Sequence, residues 1–100
     1  MTYFMYDVHG NAVDEPDAAA RRTLIVDGLA DPEAVNPEVS LTHESGWSLT
    51  AYAGGLLLWE NVEEEGTAAP ETRDGVSVDE VVRVFDLLAE GEVEKVGGTF

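Results

Sequence analysis

One hundred residues with 44% hydrophobic content suit a single domain with one core, and the absence of cysteine rules out disulfides, thiolate metal sites and cysteine nucleophiles. Twenty-one acids against five bases leave a formal charge of −16, shared by both halves: nine acids and two arginines in residues 1–50, twelve acids and three bases in 51–100. Such a surface repels phosphate backbones and anionic lipid, which argues against direct nucleic-acid or membrane binding, and it favours a basic protein surface as partner.

From the N-terminus, Met1 to Gly10 lacks a basic start followed by an apolar stretch, so no signal peptide is expected. Tyr3 to Val8 is rich in β-formers and predicts a first strand, with Gly10–Asn11 as a turn. Asp14, Glu15, Pro16 and Asp17 announce a helix, with Asp14 as the expected cap. Ala18, Ile25 and Leu29, flanked by Val26, fall on one side at helical spacing, and the helix should stop near Gly28–Asp31. Thr23 to Val26 is β-branched enough to leave a strand open there. Residues 30–37 hold two prolines and read as a loop.

Val39 to Glu44, Trp47 to Ala53 and Leu56 to Val62 predict a three-stranded antiparallel meander. Pairing Glu44 with Trp47 would set each strand's apolar face against the other's polar face. A three-residue loop, Glu44–Ser45–Gly46, aligns Leu41 with Leu49 instead, and Gly46 suits the left-handed position that loop needs. For the second turn, a two-residue Gly54–Gly55 connection would put Leu56, Leu58 and Glu60 on the Trp47 face. A three-residue turn puts Leu57 and Trp59 there and keeps the Glu60 carboxylate out of the core, which favours it. Either way apolar side chains remain on the far face near Tyr52, so that face is covered or is an interface, a dimer included. The longest apolar run, Leu56 to Trp59, falls far short of the ~20 residues that span a bilayer.

Glu63 to Asp74 is an acidic connection without periodicity. Ser77 followed by Glu80 forms a capping-box pattern that opens a helix from about Val78 to Glu90, ending at Gly91. Val81, Phe85 and Leu88 form its core stripe, widened by Val82, Val84 and Leu87, and Asp79, Arg83, Asp86 and Glu90 its polar face. Glu92 to Phe100 allows one more short turn. The fold class is thus α+β: a three-stranded antiparallel meander plus an N-terminal strand, packed with two helices in the order β-α-β-β-β-α.

Chemistry-bearing constellations are few. His43, Glu44 and Ser45 supply a base, an acid and a hydroxyl, but strand neighbours point to opposite faces, so His43 and Glu44 do not orient each other. Asp7 and His9 alternate along an extended segment, but no third ligand is spaced to join them. Asp27, Asp31 and Glu33 lack calcium-loop spacing. No cofactor is implied, and nothing argues for an enzyme. The candidate partner-binding residues are Tyr52, Trp59, Glu60, Glu63, Glu64 and Glu65, an aromatic patch beside an acidic docking loop.

Val39 to Trp47 (VSLTHESGW), the Gly55–Asn61 strand (GLLLWEN) and the capped start Gly75–Val76–Ser77 resemble the small acidic immunity proteins with which bacteria neutralise their own toxins. The resemblance implies an inhibitor whose acidic surface plugs the basic active site of a toxin such as a nuclease or deaminase, and it carries no functional residue across. A cytoplasmic location is expected from the absence of cysteine and of a signal peptide. Two other readings remain open: a nucleic-acid mimic that occupies a nucleic-acid-binding protein, and a salt-adapted domain whose charge serves solvation alone.

Overall fold

Between Glu38 and Asn61 the apolar side chains alternate with polar ones, so a sheet built from them has one face that must be covered. The computed structural model describes residues 2–61 and 69–100. Its strands are β1 (Tyr3–Tyr6), β2 (Ala12–Asp14), β3 (Glu38–His43), β4 (Trp47–Tyr52), β5 (Leu57–Asn61) and β6 (Glu71–Arg73), all antiparallel in the order β2-β1-β3-β4-β5-β6. Three helices complete it: α1 (Ala18–Leu29), α2 (Val78–Ala89) and α3 (Val93–Gly97).

Both hairpins adopt the register that keeps apolar faces together. Leu41 pairs with Leu49 and the loop closes through Gly46 N–H to His43 C=O at 2.9 Å, with Gly46 at φ +90°. Leu49 pairs with Trp59, Ala51 with Leu57, and Tyr52 N–H bonds Leu56 C=O at 2.9 Å across Ala53–Gly54–Gly55. The meander is therefore the centre of the fold, with more sheet on either side than alternation alone implies. β1 pairs with β3 and, through the Gly10–Asn11 turn, with the short β2; β6 pairs with β5.

One face of the sheet carries Met5, Leu41, Leu49 and Trp59 in a row, with Val39, Ala51 and Leu57 beside them, all buried under the helices. α2 brings Val81, Val84, Phe85 and Leu88 onto this face. Its N-terminus is capped as the sequence implies, Ser77 Oγ accepting the Glu80 N–H at 3.2 Å. Glu80's own carboxylate turns instead to Arg83 (2.6 and 2.8 Å) and Arg73 (3.5 Å).

Two expectations for α1 are corrected. The cap is Asp17, whose carboxylate accepts the Ala20 N–H at 2.9 Å, because Asp14 is already spent as the strand partner of Phe4. Ala18 is exposed, and the buried positions on the helix are Ile25 and Arg21. The C-terminal tail also does more than add a turn: α3 buries Val96 fully, and Phe100 stacks on Trp59 with ring centroids 6.1 Å apart.

Candidate functional site

All three helices lie on one side of the sheet, and among the described residues nothing covers the other. Strand pairing sets its layout. One row runs Tyr6–Ser40–Thr50–Leu58, the next Phe4–Thr42–Ser48–Glu60, and Glu38 pairs with Tyr52 at the end. The two central strands thus contribute four hydroxyl side chains, Ser40, Thr42, Ser48 and Thr50, while the flanking strands contribute tall ones. Phe4 and Tyr6 meet edge to face at 5.4 Å on β1, and Leu58 and Glu60 rise from β5. Short side chains between long ones make a trough. Its lining includes Tyr6, Asp7, Glu38, Tyr52, Leu58 and Glu60.

Part of the floor is buried and internally bonded: Ser48 is 4% exposed and its hydroxyl lies 3.2 Å from that of Thr42, while Ser40, Thr42 and Thr50 are half-buried. Tyr6 on the rim is 44% exposed. The phenol of Tyr52 is held above its ordinary value of 10.0, first by burial, then by the charge and hydrogen bond of Glu38 and the charge of Glu60. Those carboxylates therefore lie within electrostatic reach of one phenol, and the trough carries acids without a base.

Every base of the chain is engaged elsewhere. Arg21 binds Asp86 at 2.9 Å, Arg22 binds Asp79 at 3.4 Å, Arg73 and Arg83 share Glu80, and Lys95 binds Glu92 at 3.5 Å. None of the five stands on the open sheet face, whose charges among the described residues are Asp14, Glu38, Glu60 and, lining the trough, Asp7. These pairs leave the negative surplus uncompensated there.

Of the sequence-predicted partner residues, Tyr52 and Glu60 share this face. Trp59 does not: it is 4% exposed on the helix side, stacked on Trp47 at 4.5 Å, because the three-residue turn that turns Glu60 outward turns Trp59 inward. Glu63, Glu64 and Glu65 lie outside the described residues. Tyr6 and Glu38 join the site without having been singled out. Alternation already turned Glu38 outward once Val39 faced in, whereas Tyr6 depends on a β1–β3 register that no short loop fixes.

The remaining candidates resolve into local structure. His43 is 6% exposed, its Nδ1 accepting the Ser45 N–H at 3.1 Å and lying 2.9 Å from the Ser45 hydroxyl. Ser45 thus meets a base, as in a nucleophile pair, but the contact closes the hairpin loop, and Nε2 is buried without a hydrogen-bond partner where an orienting carboxylate would stand. Asp7 and His9 flank a turn rather than an extended run. The Asp7 carboxylate accepts the His9 and Asn11 N–H groups at 2.9 Å, which with Asn11's backbone bond as the leading cause holds it below the usual 3.8, while His9 Nε2 meets Asp31 at 3.1 Å. Among the described residues no group of three or more acidic or histidine side chains is placed to hold a metal ion, and no helix is long and apolar enough to cross a membrane. No protein-family model, curated protein or solved structure matches this chain.

Proposed function

We propose that the chain is an acidic, non-catalytic protein-binding module, acting as an immunity or inhibitor protein, and that its open sheet face masks a basic surface of a partner protein. The observation that carries this reading is the trough, which none of the other described residues covers: aromatic and aliphatic walls, a hydroxyl floor and carboxylates, with all five bases committed to carboxylates elsewhere. Rigid aromatic side chains beside charge are what tight interfaces use, and a basic partner would also be steered in by the field. Two of the three segments behind the resemblance to immunity proteins supply one floor strand, β3, and one wall, β5, of this trough. A second copy is a poor occupant, because its own open face would set the same carboxylates against these and its whole chain carries another −16.

The test compares two charge-matched double variants as baits for partners from cells that make this protein. Glu38→Lys with Glu60→Lys alters the trough; Asp27→Lys with Glu94→Lys makes the same charge change on the exposed helix side. A partner of basic isoelectric point held by the parent and the helix-side variant, and lost from the trough variant, supports the reading. Equal loss from both would mean that charge acts only as a diffuse field. An acidic partner, or none, would also sink it.

A further inference from the structure

An occupant of a sheet face meets side chains only, since the backbone groups beneath are spent in the ladder. An extended segment lying in this trough would bury its own N–H and C=O groups against four hydroxyls, and two of those, Thr42 and Ser48, already bond each other. A helix brings its backbone bonds with it. The width agrees: walls on β1 and β5 enclose two floor strands, and three strand spacings put them roughly 14 Å apart. That accommodates one α-helix with its side chains, about 10–12 Å across.

Charge fixes the register of such a helix. Glu38 on β3 and Glu60 on β5 stand at opposite ends of the trough, two rows and two strands apart: about 13 Å along the strands and about 10 Å across them, or about 16 Å on the diagonal. Helical residues eleven apart are separated by about 16 Å on nearly one face. Resting on the reading of the open face as a docking surface, we infer that its occupant is a basic amphipathic helix of the partner. Cationic side chains eleven residues apart meet Glu38 and Glu60, and apolar side chains between them settle on Ser40 and Thr50 against Tyr6 and Leu58.

The probe is a dye-labelled, alanine-rich peptide of about twenty residues, long enough to be helical alone. It carries arginines eleven apart with leucines between them, and its equal-charge isomer has central alanines replaced by proline. Anisotropy with the intact protein should show the helical peptide bound at least about tenfold tighter than the proline isomer. Glu38→Lys with Glu60→Lys should abolish that binding. So should Ser40→Phe, which raises the floor without touching the charge, and far-UV circular dichroism verifies that each variant is folded. Equal binding of the two peptides, both released by the charge variant, would overturn the helix and leave the docking surface standing. Binding of neither, or binding indifferent to these variants, would remove both.

Discussion

Arg21 occupies a position where the α1 pattern calls for an apolar side chain, one turn before Ile25, and it is 8% exposed. Its Nε donates to Asp86 at 2.9 Å, and its Nη1 donates to the Tyr3 hydroxyl at 2.8 Å and the Pro16 carbonyl at 3.0 Å. One guanidinium thereby ties β1, α1 and α2 together. The two ends of the ion pair are not equivalent. Asp86 keeps 38% of its side chain in solvent and can hydrate if abandoned, whereas Arg21 cannot. Asp86→Ala should therefore cost about 3 kcal/mol, because it strands a buried cation. Arg21→Met retains the packed stem and should stay within about 1 kcal/mol of the parent. Urea melts of the two variants decide it, and equal losses would refute the asymmetry.

At the scale of elements, legibility followed length. The Leu41–Leu49 and Leu49–Trp59 registers were readable because a one-residue slip would bury polar side chains along whole strands. Ser77 was readable as a cap because its hydroxyl has one partner within reach. β2 and β6 have three residues each, too few for alternation to register, and both exist because longer neighbours offer them an edge. Asp14 and Asp17 flank the same proline, and the choice between caps fell to the β1–β2 ladder, a non-local contact. The candidate site was half legible for the same reason. Alternation turned Glu60 and Tyr52 outward, but the facing wall, Phe4 and Tyr6, arrives from a distant part of the chain.

The tail was the least legible element, since five helical residues carry little periodicity. Its hold is tertiary: Val96 is fully buried, and Phe100 closes a three-ring stack with Trp59 and Trp47. Val96→Ala should cost about 2 kcal/mol, and loosening of the stack should shift tryptophan emission to the red. A fraying tail would give neither change.

Over the whole molecule, two electrostatic effects of opposite sign divide the pH axis. From pH 7 towards the isoelectric point near 4.1, protonation removes surplus charge from a chain of −16 and so relieves repulsion in the folded state. Against this, Glu80 and Asp7 are held below their ordinary 4.5 and 3.8. The leading causes are the Arg83 hydrogen bond to Glu80 and the Asn11 backbone bond to Asp7. A carboxylate with a depressed folded value contributes stability above its unfolded value and loses it as pH falls through the folded one, so this contribution fades below about pH 4. Stability in dilute buffer should thus rise on mild acidification, peak near about pH 5 and fall steeply below about pH 4. Salt screens both where the charges are exposed, the repulsion of many charges more than the single Glu80–Arg83 pair. At pH 7 it should stabilise the fold and saturate well before 1 M, where the screening length is already about 3 Å. Denaturant melts across pH at low and moderate salt test both halves. A chain folded only in molar salt would assign the acidity to salt adaptation rather than to a partner, and one whose stability peaks at neutral pH in dilute buffer would refute the repulsion.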